Sequence, residues 1–147
     1  RRATYGRVRP FRGDRMPRVL VVDDSATMRK IIAKGLREAG FGDWSVTEAA
    51  DGASALLALR GSEFDLVLSD INMPGMDGLS LVRSARRDPT VSPDVPILII
   101  TTEGCLEKIE ESVAAGATDY LRKPFTSDQL QAKLRSLLAA HIRSDGW

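Results

Sequence analysis

"VLSDINMPGMDG", residues 67 to 78, carries a short apolar run onto Asp70 and then turns at once through two Met, one Pro and two Gly. An apolar run bounded by turn residues reads as a buried strand. One carboxylate at a strand end is common, so the meaning of Asp70 depends on what the other strand ends bring beside it.

Working outward, "RVLVVD" (18–23) is another short β-branched run, followed by Met28, Ile31, Ile32 and Leu36 at helical spacing. Gly40 is placed to stop that helix. "SVTEA" (45–49) reads as a strand, and Asp51 as the N-cap of a helix to Arg60 carrying Leu56, Leu57 and Leu59. "FDLVLSD" (64–70) is the third strand and "DGLSLVRSARR" (77–87) the third helix. "PILIIT" (96–101) is the fourth strand; the next helix has Leu106, Ile109 and Val113 on one side and ends at Gly116. "TDYLRK" (118–123) is the last strand. Thr126 and Gln129 match a capping box that opens a helix with Leu130, Leu134, Leu137, Leu138 and Ile142 on one face.

Five strands alternate with five helices, and segments 18–23, 64–70 and 96–101 are nearly continuous apolar runs, as in strands covered on both faces. The pattern predicts an α/β fold, a doubly wound five-stranded parallel sheet of (βα)5 type. Right-handed crossovers place helices on both faces, and a ligand site forms outside the carboxyl ends of the strands.

Those ends carry Asp23 and Asp24, Asp70, Thr101 and Thr102, and Lys123 followed by Pro124. Clustered carboxylates repel one another unless a cation lies between them. Mg²⁺, a hard ion held by carboxylates, waters and phosphate oxygens, suits such a site. A hydroxyl and an ammonium beside it suit phosphoryl transfer, with a carboxylate as the attacking group. Asp70 is the preferred nucleophile, since it ends the central strand and the Asn72 carbonyl can complete the metal shell. Taken singly, Asp24-Ser25 reads as a helix cap, Asp77-Gly78 as a helix start and Lys123-Pro124 as a turn; their joint occurrence carries the argument.

A length of 147 residues with 43% hydrophobic content fits one packed domain. The longest apolar run, "PILII" (96–100), falls far below the ~18–20 residues of a membrane span, and no stretch has the order of a signal peptide, so a cytoplasmic location without membrane contact is expected. The one cysteine, Cys105, excludes an intrachain disulfide framework and a cysteine-based zinc site. His141 lacks a second ligand at a suitable spacing and reads as a surface residue. Residues 1–17 hold six Arg against one Asp, a charge of +5, which leaves +1 − 5 = −4 for residues 18–147. The body is mildly acidic and has no basic stripe with interleaved aromatics of the kind that binds nucleic acid. The arm, residues 1–17, is expected to be disordered: sequence upstream of a natural start at Met16, a solvated tail, or a binding element for nucleic acid or an acidic surface.

These residues also carry a resemblance. "VDDSATMRKII", "EAADGASAL", "SDINMPGMDGL", "ILIITTE" and "AAGATDYLRKPF" are similar to the receiver domains of bacterial two-component response regulators, most of all the single-domain chemotaxis regulators of the CheY type. The resemblance runs from about residue 18 to about 142, the expected receiver domain, and leaves 143–147 as a tail. It implies the flavodoxin-like strand order 2-1-3-4-5. It implies that Asp70 accepts a phosphoryl group from a sensor histidine kinase, that Asp24 and the Asn72 carbonyl contact Mg²⁺, and that Asp23 does so largely through water. Thr101 is implied as the hydroxyl that moves toward the phosphoryl group, Lys123 as its salt-bridging partner and Tyr120 as an aromatic switch. Asn72 and Glu103 match the positions that tune dephosphorylation. Ile71, where the chemotaxis relatives have a large aromatic, and Thr102 depart from the pattern.

The expected function is that of a phosphorylation-activated, stand-alone switch, not an enzyme, whose face of helix four, strand five and helix five controls binding to a flagellar motor switch protein, with a phosphatase as a further partner. The alternatives are a receiver of another pathway and a piece of a larger regulator. An Asp-nucleophile phosphohydrolase would need a second Asp two residues after its nucleophile on strand one, where Ser25 and Ala26 stand. A flavin-binding module would want hydroxyls and bare amides where the first loop has two carboxylates.

Overall fold

The computed structural model describes residues 16–102, 104 and 106–144, without the side chains of 140–144. Residues 1–15 of the basic arm, Glu103 and Cys105, and the side chains of His141 and Ile142, lie outside the described residues. The elements are β1 (Arg18–Val22), α1 (Ala26–Leu36, continued by a wider turn over Arg37–Phe41), β2 (Ser45–Ala49), α2 (Gly52–Gly61), β3 (Leu66–Ser69), α3 (Gly78–Arg87), β4 (Ile97–Thr101), α4 (Leu106–Ala114), β5 (Asp119–Arg122) and α5 (Ser127–Ser144). The five strands form one parallel sheet in the order β2-β1-β3-β4-β5. This is the flavodoxin-like, doubly wound architecture expected.

The pleat sorts the apolar side chains into two cores. Val19 and Val21, Leu66 and Leu68, and Leu98 and Ile100 point to one face, where Ile32 and Leu36 of α1 and Leu130, Leu134, Leu137 and Leu138 of α5 cover them. Leu20, Val22, Val67, Ile97 and Ile99 point to the other, under Leu56 and Leu59 of α2 and Leu81, Val82 and Ala85 of α3. Apart from the half-buried Arg18 that opens β1, the three inner strands are buried throughout, whereas edge strands β2 and β5 are partly exposed. That difference is why only the inner three read as continuous apolar runs.

Helix starts agree with the sequence. Ser25 accepts from Met28 N, Asp51 from Ser54 N and Asp77 from Ser80 N, and Thr126 and Gln129 exchange the two bonds of a capping box. Gly40, at φ +100°, turns the chain out of the first helix, and Gln131 of α5 donates to the Ala39 carbonyl there.

Four residues assigned to apolar faces are instead exposed: Ile31, Leu57, Leu106 and Val113. Ile31 and Leu57 adjoin Ile32 and Leu56, and neighbours lie roughly 100° apart around a helix, so both cannot face the sheet. In α4 the buried pair is Ile109 and Ser112, with the Ser112 hydroxyl satisfied by the Ile109 carbonyl. This rotates the packed stripe away from Leu106 and Val113.

Asp88 closes α3 and ties it to α2. It accepts from the Thr90 hydroxyl (2.6 Å), from Arg60 Nε (2.6 Å) and from Thr90 N (2.8 Å), and these bonds hold its carboxyl down at about 2. A carboxyl depressed in the folded state adds stability above its unfolded value and loses it as pH falls toward the folded one. Asp88→Asn should therefore lower the melting temperature at neutral pH. In thermal unfolding across pH, the gap to wild type should stay constant above the ordinary value of 3.8 and shrink as pH falls from there toward 2.

Candidate active site

Strand register decides which carboxylates meet. Val22 pairs with Ser69 across β1 and β3, and Asp70 N donates to the Val22 carbonyl at 3.0 Å, so the residues just past both strands, Asp23 and Asp70, leave the sheet side by side. On the other flank, Lys123 N donates to the Thr101 carbonyl at 2.9 Å. From there the Lys123 side chain reaches across the end of β4. Its ammonium donates to Asp23 Oδ2 at 2.9 Å and Asp70 Oδ2 at 3.2 Å, all three side chains being nearly covered. Burial alone would lower the Lys123 pKa, but the hydrogen bond to Asp23 and the charges of Asp70 and Asp23 outweigh it and hold it above the ordinary value. The ammonium is therefore charged throughout the neutral range.

Asp24 is exposed at the mouth of the site. Oxygens of Asp23, Asp24 and Asp70 lie within 4.8 Å of one another. One ion with oxygen ligands at about 2.0–2.1 Å can gather them with small side-chain movements. Three carboxylates and one ammonium sum to −3 + 1 = −2, a charge that a divalent cation balances. The donor set, all oxygen with no sulfur or imidazole, fits Mg²⁺.

The remaining oxygens are held by backbone. Asp23 Oδ1 accepts from Ser25 N at 2.9 Å, and Asp70 Oδ1 from Ile71 N at 2.7 Å. The turn after Asp70 doubles back, so that Gly78 N donates to the Ile71 carbonyl at 2.8 Å and Met76 O accepts from Gly52 N at 3.2 Å, docking the turn on α2. Ile71 is buried in the core of that face. A Cβ on Gly78 would run into the Asp70 carbonyl and stand 2.8 Å from Ile71 Cα. The elaborate turn is thus a brace that fixes where the Asp70 carboxylate points.

Of the other residues singled out, Asn72 is exposed two positions past Asp70, and Thr101 is fully buried at the end of β4. Tyr120 stands apart from the acid cluster, half-buried on β5 beside Ile99, with Lys133 Nζ 5.1 Å from its ring centroid. Asp119, Tyr120, Arg122 and Lys133 line an open cleft of about 610 Å³ along β5 and α5, and Lys133 also pairs with Asp119 at 3.1 Å. The sequence reading missed Arg29, which donates to the Asp23 carbonyl at 2.7 Å and pairs with Glu48 at 2.7 Å. Its position one helical turn after the Ser25 cap was the one available signal, and many surface arginines share it.

The family model described as the response regulator receiver domain matches residues 19–135. The chain belongs to this receiver family. It is 43% identical over 117 residues to the chemotaxis protein CheY-3 of Vibrio cholerae, spanning 80% of this chain and 88% of that protein. Among solved structures, it is similar to V. cholerae CheY4 at 39% identity and a TM-score of 0.73, covering 84% of this chain and 99% of that one. It also resembles the receiver domain of the sensor histidine kinase PA1611 of Pseudomonas aeruginosa, solved with a magnesium ion coordinated in its active site cleft, at 30% identity and a TM-score of 0.74, covering 85% and 99%. A CheY-like receiver takes part in phosphorylation-dependent signalling as a switch, not as a classical enzyme. Receiver domains bind Mg²⁺ at an acidic pocket, and the corresponding feature here is the Asp23, Asp24 and Asp70 cluster. No helix among the described residues is long and apolar enough to cross a membrane.

Gly78→Ala should destabilise the fold by roughly 1–3 kcal/mol, the usual cost of overpacking a tight site. Chemical denaturation should show a lower midpoint with an unchanged slope; a midpoint equal to wild type would show that the turn yields without cost.

Proposed function

We propose that Asp70 is the phosphoacceptor of a signalling switch that receives its phosphoryl group from a histidine kinase. The supporting observation is the convergence of Asp23, Asp24, Asp70 and Lys123 at the carboxyl edge of the sheet, with Asp24 open to solvent where a donor can approach. Asp70 attacks phosphorus; an Asp70 O–P bond forms as the donor's N–P bond breaks, and the imidazole leaves with the bonding pair. The Ile71 amide holds one Asp70 oxygen and so orients the other for attack. Asp23, Asp24, Asp70 and the Asn72 carbonyl are the residues that would hold Mg²⁺, which when bound supplies positive charge to the phosphoryl oxygens. Lys123 exchanges its bond to Asp70 for one to the phosphoryl oxygens.

Thr101, next to Lys123 in the ladder, supplies a hydroxyl to the phosphoryl group, and its movement is coupled to the Tyr120 ring. The readout face is formed by α4, β5 and α5. The exposed Leu106 and Val113 and the cleft beside Tyr120 give it apolar ground rimmed by charge. The likeness to chemotaxis proteins of 40–43% identity favours a chemotaxis-type kinase as donor and a flagellar motor switch protein as target. Asn72 and Glu103 tune the lifetime of the acyl phosphate.

Incubation of wild type with acetyl phosphate and Mg²⁺, followed by intact-mass spectrometry, should add one phosphoryl mass. EDTA in place of Mg²⁺, or Asp70→Asn, should abolish the addition; an adduct that survives Asp70→Asn would overturn the assignment. Lys123→Met removes the ammonium that Asp23 and Asp70 share, so it should lower stability in EDTA by roughly 3–5 kcal/mol. Mg²⁺ should raise its melting temperature more than that of wild type, because the metal no longer competes with the lysine. Equal Mg²⁺-induced shifts in the two proteins would show that metal and lysine do not share the carboxylates.

A further inference from the structure

On the side of the domain away from the acidic edge, α3 and α4 part to leave a cleft of about 340 Å³ lined by Arg83, Arg86, Arg87, Glu111, Ala114 and Ala115. The three arginines stand at i, i+3 and i+4 on α3 and so share one face of that helix. They face one carboxylate in the cleft, in a body whose charge from residue 18 onward is +1 − 5 = −4. Such a concentration of guanidinium groups is repulsive unless an anion joins it.

Arg86 is held as part of a built site. Its Nε donates to the Gly116 carbonyl and its Nη1 to the Pro93 carbonyl, each at 3.0 Å. The stem lies over Gly116, where a Cβ would stand 2.7 Å from Arg86 Cγ and where φ is +123°, so glycine is required there both for space and for backbone conformation. Both anchors are neutral carbonyls. Burial lowers the Arg86 pKa and the charge of Asp94 only partly restores it, so the half-buried cation lacks full compensation. The Nη2 donors of Arg86 bond no described residue. Arg83 and Arg87 are exposed and form no side-chain hydrogen bond or ion pair with any described residue.

We propose that the α3–α4 cleft binds a small oligophosphate anion, with Arg86 as a fixed fork and Arg83 and Arg87 closing on it. The volume falls in the range of small-ligand pockets, about 300–1,000 Å³. A pre-positioned guanidinium pairs with phosphate oxygens two at a time and loses little freedom on doing so. The small Ala114 and Ala115 keep the α4 wall open. Glu111 on that wall disfavours an extended acidic surface, which would have to pass it, more than a compact anion held against α3. This site is separate from the proposed phosphoacceptor and does not rest on it.

Isothermal titration calorimetry on the full chain, in low-salt buffer with EDTA, tests the proposal with tripolyphosphate and ADP as probes. Wild type should bind one equivalent saturably. Arg83→Ala/Arg87→Ala, at exposed positions and expected to keep the wild-type melting temperature, should weaken binding at least tenfold. Arg86→Lys, which keeps the charge and loses the fork, should weaken it several-fold. ADP binding more tightly than tripolyphosphate supports a nucleotide ligand, and the reverse supports a bare phosphate chain; either upholds the site. No saturable binding to wild type overturns it. So does equal affinity in the double variant, which would assign the anion to the six arginines of residues 1–17. A third overturning result is an Asp/Glu-rich peptide that binds more tightly than both phosphate probes and is lost in the same variants, which would make the cleft a protein-docking surface.

Discussion

The Lys123 ammonium lies between two carboxylates that leave the sheet on neighbouring strands, and its bonds to Asp23 and Asp70 hold together residues 100 and 53 positions away in the chain. Without it, Asp23 and Asp70 would be two nearly covered negative charges side by side, an arrangement that costs several kcal/mol when unpaired. With it, the cluster of three acids is still two charges short of neutrality. A receiver needs that residual demand for positive charge, because a fully balanced site would have no use for a divalent cation. The lysine makes the acidic cluster tolerable in the fold while leaving it electrostatically unfinished.

Most of what surrounds this interaction fixes geometry and adds little charge. Ladder bonds from Asp70 to Val22 and from Lys123 to Thr101 set the two flanks. The turn after Asp70 folds back through Gly78 and docks on α2 through Met76, and Arg29 clamps the Asp23 carbonyl from α1. Apart from the Met76–Gly52 bond, each is a backbone contact to a residue that carries a site side chain or to its neighbour. Positioning on rigid elements of this kind leaves the side chain few ways to err, which matters where an attack geometry must hold to within a fraction of an ångström.

The two ends of the sheet serve different chemistry. At the carboxyl edge the strands deliver acids and a lysine. Along the flank formed by α3 and α4 the structure gathers arginines, and across α4, β5 and α5 it leaves Leu106, Val113 and Tyr120 accessible. Helical periodicity places Leu106, Ile109 and Val113 on one stripe, yet only Ile109 is buried, because the helix is turned so that Ser112 faces inward. A serine with its hydroxyl bonded within its own helix is as acceptable inside as an apolar residue, and the sequence pattern carries no mark of that choice.

The sequence by itself determined the alternation of five strands and five helices, the caps at Asp51, Asp77 and Thr126, the parallel sheet, and the strand ends bearing Asp23, Asp24, Asp70, Thr101 and Lys123. These follow from local rules: inner strands buried on both faces must be apolar throughout, helix starts need side-chain acceptors, and a parallel sheet collects its strand ends on one edge. Tertiary structure alone decided that Lys123 bridges Asp23 and Asp70, that Arg29 braces the first strand end, that Leu106 and Val113 face outward, and that three arginines of α3 share a cleft with α4. Those outcomes depend on strand register and on how each helix is rotated against the sheet. Both are set by the packing of residues far apart in the chain, which no short window of sequence contains.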